Sequence, residues 1–292
     1  MVGFLARNSL TCAFTPKKLS LGFLFSCVSI RMETNALIQI QSVSKHYGAV
    51  DNGVLALQNV SLSVHAGEFL SIIGPSGCGK STLLKLIADL LAPNHGHISI
   101  NAHSPNDARR ARECGIVFQS PTLMEWRSIE RNIELPLEII GIPHNEREQR
   151  VNELLDLIRL REFASRYPHE LSIGMQQQVS IARAMAHRPS ILLMDEPFGA
   201  LDEMTRERLG RELLRLWERT RVTIIFVTHS VSEAVFLSDR VAVFTPRPGQ
   251  IARVINIDLP RPRTIELRES PEFIARLRLV RQTLRAHGGD WE

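Results

Sequence analysis

Short apolar runs rich in β-branched residues alternate along this chain with stretches in which apolar residues recur at helical spacing. The runs at 37–43, 55–64, 68–73, 97–100, 114–118, 191–194, 222–227, 240–244 and 250–257 predict strands. Helices are predicted over 79–91, 128–140, 145–158, 172–187, 203–219, 230–237 and 271–286. In 203–219, Leu209, Leu213, Leu216 and Trp217 fall at i, i+4, i+7 and i+8, which makes one face apolar. The segment 271–286 places Phe273, Leu277, Val280 and Leu284 on one face, behind Ser270 as N-cap and Pro271 at the first helical position. Runs this short and this apolar predict an α/β fold. Its sheet is mostly parallel and flanked by helices, with antiparallel strands near the N-terminus. Between about 120 and 186 the pattern is mostly helical while its flanks are βα, which predicts a helical subdomain inserted into the core.

Three of these strands end in polar chemistry. The run 68–73 leads into Gly74, 191–194 into Asp195-Glu196, and 222–227 into Thr228-His229. Open α/β sheets bind ligands beyond the carboxyl ends of their strands, so three such ends predict one site.

Charge narrows the partners. Of 292 residues, 35 are basic and 31 acidic, but Arg7, Lys17, Lys18 and Arg31 lie in an acid-free leader, and residues 33–292 carry no net charge. A nucleic-acid binder shows a basic stripe, and none is expected here. The longest mostly apolar stretch, Leu19 to Ile30, is too short for a bilayer, which needs about 20 residues, so a membrane role would be peripheral. Residues 1–31 are read as lying outside the fold, with Met32 as the true start. Four cysteines without CxxC spacing suit a reducing compartment. Only five basic residues are Lys, against 30 Arg, so a Lys in a motif marks a place where Arg is unsuitable.

Such a Lys stands in Gly74-Pro75-Ser76-Gly77-Cys78-Gly79-Lys80-Ser81, followed by Thr82: a complete GxxxxGK[ST] between a strand and a helical pattern. Glycines let backbone N–H groups curl around an anion, and the helix that follows adds its positive end. Lys80 offers a compact charge for β- and γ-phosphates, and Ser81 a hydroxyl for Mg²⁺. This predicts a P-loop NTPase core that binds a nucleoside triphosphate. Cys78, beside Lys80 and a helix N-terminus, is expected to have a lowered pKa and to react readily.

The second half carries Leu171-Ser172-Ile173-Gly174-Met175-Gln176-Gln177-Gln178, then Leu192-Leu193-Met194-Asp195-Glu196-Pro197, Gly199-Ala200-Leu201-Asp202 and Thr228-His229. With these motifs in this order, residues 37–245 resemble the ATP-binding cassette (ABC) ATPases. MDEPFGALDEMTRERL, Trp126 and FTPRPGQI at 244–251 are similar to the branch that serves nitrate, sulfonate, taurine and pyrimidine-precursor importers.

The resemblance implies roles. Tyr47 would stack on adenine. Gln119 would touch Mg²⁺ and the attacking water, Asp195 would bind Mg²⁺ with Ser81, and Glu196 would be the general base. His229 would hydrogen-bond the γ-phosphate. Ser172, Ile173, Gly174 and Met175 form the signature that acts on a partner subunit's ATP, and Asp202 links the two sites. It also implies a homodimer at the cytoplasmic face of the cell membrane, working with an integral permease and indirectly with a periplasmic or extracellular solute-binding protein. Residues 32–260 would be the ATPase domain and 261–292 a C-terminal extension with one helix. Two departures stand out: Ile173 replaces a usual glycine and Gln178 a usual arginine. Isoleucine takes positive φ only at a cost, so slow but real hydrolysis is expected. The rival reading is a soluble nucleotide-binding regulator with weak hydrolysis.

Overall fold

The computed structural model describes residues 36–48 and 53–288. The leader at 1–31, Met32 and the last four residues of the C-terminal segment lie outside the described residues. All nine predicted runs are strands. β1 (Ala36–Tyr47), β2 (Val54–His65) and β4 (His95–Ile100) form an antiparallel sheet in the order β2-β1-β4. The six-stranded sheet holds β3 (Phe69–Ile73), β5 (Cys114–Val117), β6 (Ile191–Asp195), β7 (Thr223–Val227), β8 (Arg240–Phe244) and β9 (Ile251–Asn256). Its order is β5-β6-β7-β3-β8-β9; the first five are parallel and β9 is antiparallel.

The continuous apolar runs follow from burial on both faces of this sheet. Side chains alternate with period two, so Phe69 and Ile73 join one hydrophobic cluster while Leu70 and Ile72 join another. Against the first face pack α3 (Ile129–Ile140), α4 (His144–Leu157), α5 (Ile173–Met185), α6 (Glu203–Thr220), α7 (Val231–Leu237) and α8 (Pro271–Ala286). Against the second lie α1 (Lys80–Ile87) and the antiparallel sheet. Ser128, Ser172, Asp202, Ser230 and Ser270 each cap a helix by accepting from the N–H three residues on. The six-residue α2 (Pro105–Arg110) escaped the sequence pattern because it is too short to repeat an apolar period. Among the described residues no helix is long and apolar enough to cross a membrane.

Three arginines tie the segment after β9 to α6 and α7. Arg261 lies over the Trp217 ring at 4.2 Å, as Arg221 does at 4.6 Å, and pairs with Asp239 at 2.7 Å. Arg268 pairs with Glu207 at 2.6 Å and lies over Phe236. Buried Arg263 donates to the carbonyls of Val235, Phe236 and Ser238 at the end of α7, and to Ile257. Burial brings its pKa down to about 10, still charged at neutral pH. Helix ends leave carbonyls without partners, and Arg263 satisfies these from outside the helix. Arg263→Met, which keeps bulk and removes the donors, is expected to destabilise the fold by about 2–3 kcal/mol in urea unfolding. A change under about 0.5 kcal/mol, the range of an ordinary surface substitution, would show that water replaces the guanidinium.

Candidate active site

Sheet order decides where the motifs meet. β6, β7 and β3 are consecutive neighbours and parallel, so their carboxyl ends open on one edge. The loop after β3 curls into α1. Gly79 stands at φ 105°, where a Cβ would come within 2.6 Å of Leu57 Cδ2 and 2.8 Å of the Ala56 carbonyl; no L side chain fits there. Lys80, only 4% exposed, folds over the loop, and its Nζ donates to the carbonyls of Gly74 at 2.8 Å and Pro75 at 2.9 Å. A cavity of about 230 Å³ opens above it, lined by Tyr47, Val54, Ala56, Gly77, Gly79, Lys80, Ser81, Thr82, Glu196 and Arg247. Tyr47 stands at its rim, half exposed, with its hydroxyl 3.2 Å from Thr82 Oγ1.

The two carboxylates after β6 take different partners. Asp195 accepts from Ser81 Oγ at 2.8 Å. Its burial, with the neighbouring Glu196 charge, pushes its pKa up despite that bond. Glu196 turns off the strand at φ 48° while its N–H donates to the Val227 carbonyl. This left-handed turn swings its carboxylate to His229 Nε2, 2.5 Å away. The hydrogen bond from His229 holds Glu196 below the usual carboxylate range, against the opposing effect of burial. A strained backbone at such a point is a mark of a functional turn. Gln119 is exposed and its amide lies against Gly199, in the turn that follows Glu196.

Ser172, Ile173, Gly174, Met175 and Asp202 are not among the residues lining that cavity. Ser172 caps α5 and Asp202 caps α6 by accepting from Thr205 N at 3.0 Å. That bond holds the exposed Asp202 carboxyl below its ordinary range.

Comparison with known proteins bears on this arrangement. The model of the family described as ABC transporter matches residues 57–199. An uncharacterized ABC transporter ATP-binding protein of Methanocaldococcus jannaschii is 46% identical over 237 residues, 81% of this chain and 87% of its own. This chain belongs to the ABC transporter ATP-binding proteins. The taurine import ATP-binding protein TauB of Roseobacter denitrificans is 44% identical over 75% of this chain and 83% of its own. The nitrate import ATP-binding protein NrtD of a Synechocystis strain is 40% identical over 81% and 90%. A dimeric ATP-binding cassette in a post-hydrolysis state, bound to ADP and Pi, superposes with a TM-score of 0.67 at 35% identity, covering 76% of this chain and all of that one. The resemblance to the nitrate and taurine importer branch holds, and the chain is an ABC-type ATPase.

Three residues singled out in the sequence take specific surroundings in the fold. Ile173 is the first residue of α5 and takes ordinary right-handed backbone, with its side chain 55% exposed. The positive φ that counted against isoleucine is therefore not required. Gln178 is buried and donates to Glu212 and to the Ile158 carbonyl, so it joins α5 to α6 without a charge.

Cys78 is the clearest correction. Its thiol is 1% exposed, packed in the cluster of Leu57 and Phe244, and its pKa is raised. Desolvation outweighs the nearby Lys80, whose Nζ lies 3.9 Å from Sγ. Only thiolate attacks, so Cys78 in the native protein should alkylate at least about tenfold more slowly than in the urea-unfolded chain. Peptide mapping after timed labelling measures this; equal rates would restore the reactive thiol. Cys114, pushed up to about 12 by burial, should be slow too.

The sequence reading missed Arg247, which lines the cavity. The segment 244–251 served only as a mark of resemblance. No local signal in the sequence marked it, because the parallel pairing of β8 with β3, which carries the residues after β8 to the same edge, is a property of the fold.

Proposed function

We propose that this ATPase energises an importer that carries a small solute, such as nitrate, an alkylsulfonate, taurine or a pyrimidine precursor, through a separate permease. It would act as a homodimer on the cytoplasmic face of the cell membrane, with a solute-binding protein delivering cargo outside. The observation that carries the catalytic part is the meeting of Lys80, the Ser81–Asp195 bond and the Glu196–His229 pair around one cavity.

Each residue then has a task. The backbone of Gly74 to Gly79 and the start of α1 seat the phosphates, with Tyr47 under the base. The Ser81 hydroxyl and Asp195 carboxylate are hard oxygen donors that suit Mg²⁺. The raised pKa of Asp195 fits that ion, since a carboxylate whose desolvation outweighs the charges of Lys85 and Lys80 is a group a further cation would stabilise. Held by these two oxygens, and by Gln119 if its amide turns in from Gly199, Mg²⁺ would neutralise charge on the phosphate oxygens. Glu196, kept ionised, would accept a proton from the attacking water, and His229, whose Nε2–H rests on that carboxylate here, would turn the same donor to the γ-phosphate once nucleotide is seated. Because the signature residues stand apart from this chain's own cavity, they would serve a partner's, with Asp202 at the junction.

We assign residues 120–186 as the helical subdomain within an ATPase domain of 32–260, and 261–292 as the C-terminal extension. The helical part would carry the permease contact, and Trp126 at 75% and Ile139 at 77% exposure are apolar groups available for it. The test is uptake of labelled nitrate, taurine, an alkylsulfonate and a pyrimidine precursor by cells with and without the gene, alongside ATPase assay of the purified chain. Loss of one uptake together with measurable hydrolysis supports the proposal. Hydrolysis with no uptake defect overturns the importer assignment.

A further inference from the structure

One cation in the cavity comes from outside the motifs. The turn between β8 and β9 carries Arg247, and its base is firmly held. Gly249 N–H donates to the Ala56 carbonyl at 2.9 Å, and Gln58 N–H donates to the Gly249 carbonyl at 3.0 Å. A Cβ on Gly249 would come within 1.9 Å of the Cys78 carbonyl oxygen, so this turn lies directly on the phosphate loop. Gln250 Nε2 donates to Gln58 Oε1 at 2.8 Å, and Thr245 Oγ1 accepts from Gln250 N at 3.0 Å. The turn is thus tied to β2 on one side and to the loop of Lys80 on the other.

Arg247 itself is exposed and lines the cavity with Lys80, Ser81 and Glu196. Among the described residues its guanidinium makes no hydrogen bond or ion pair, while the carboxylate across the cavity, Glu196, is occupied by His229. Two cations on the wall of one small cavity repel each other until an anion arrives. Lys80 is buried on loop carbonyls and acts as a fixed point charge, whereas a guanidinium offers a planar fork that can bind two oxygens at once.

We propose that Arg247 binds the phosphate chain of the nucleotide seated on the phosphate loop, as a second cation beside Lys80. This rests on the reading of that loop as the nucleotide site. The β8–β9 turn then becomes part of the nucleotide site, and its fit against Cys78 sets where the guanidinium reaches.

The test is titration of MgATP into wild type, Arg247→Ala, Arg247→Lys and Lys80→Ala by calorimetry at low and high salt. Arg247→Ala is expected to bind ATP about tenfold more weakly, the loss of one charge-assisted contact. Its deficit should shrink as salt rises, and Arg247→Lys should recover part of the affinity. Thermal midpoints of the nucleotide-free Arg247→Ala and wild-type proteins should coincide, since the side chain has no described partner. ATP affinity of Arg247→Ala within twofold of wild type, or a deficit independent of salt and unrelieved by Lys, overturns the assignment. If Lys80→Ala also binds like wild type, the phosphate-loop reading fails with it; if Lys80→Ala alone is weak, only Arg247 is misplaced.

Discussion

Glu196→Gln is expected to bind ATP with affinity close to wild type and to hydrolyse it at least about a hundredfold more slowly, the lower bound for losing a positioned general base. Its shape is conserved, and the glutamine oxygen still accepts from His229 Nε2, so the turn at Glu196 should persist. Only the proton acceptor is removed. In wild type the His229 bond holds this carboxyl below its usual range, so it is ionised at neutral pH. Protonation of Glu196 should therefore lower kcat/KM only as pH falls through that depressed value, not near neutrality. Single-turnover hydrolysis and gel filtration with ATP check both parts, since bound ATP that is not consumed should hold two subunits together. Loss of ATP binding along with turnover would mean that Glu196 supports the fold instead.

Lys80→Ala is expected to weaken ATP binding at least about thirtyfold, within the range for a hydrogen bond to a charged group. The ammonium is almost fully enclosed and braces the loop by donating to the Gly74 and Pro75 carbonyls. Removing it takes away the phosphate's counter-charge and leaves two loop carbonyls without a donor. Lys80→Arg should rescue little, because the space over those carbonyls was filled by a compact charge and a planar fork does not fit it. Isothermal titration measures both variants, and affinity for Lys80→Ala within threefold of wild type would remove the phosphate loop from the site.

How much of this could be read beforehand differs from residue to residue. Strands buried on both faces must be apolar throughout, and so β3, β6 and β7 were visible as runs. The polar residues that end them were visible as well, since GxxxxGK[ST] and Asp-Glu are contiguous. Nothing local says that β9 would run antiparallel; a turn of six residues after β8 returns the chain against its own strand, and direction is a property of the pair. α2 left no periodic trace because six residues are under two helical turns.

The chemical groups of this site were thus set by the sequence alone, since the backbone of one loop and the side chains at three strand ends are short-range features. Their meeting required the order β6-β7-β3, which is a matter of long-range pairing. Tertiary structure also decided the signs. At Cys78, a neighbouring Lys and a helix N-terminus favour thiolate, but burial against Leu57 and Phe244, residues distant in the chain, outweighs them. At Ile173, the departure from the family's usual glycine suggested backbone strain, and its place at the first turn of α5 removed it. Arg247 lies far along the chain from Lys80, and only the packing of Gly249 on the Cys78 carbonyl brings it to the phosphate loop. Desolvation and proximity depend on what the rest of the chain folds against a group, so no reading of its sequence neighbours supplies them.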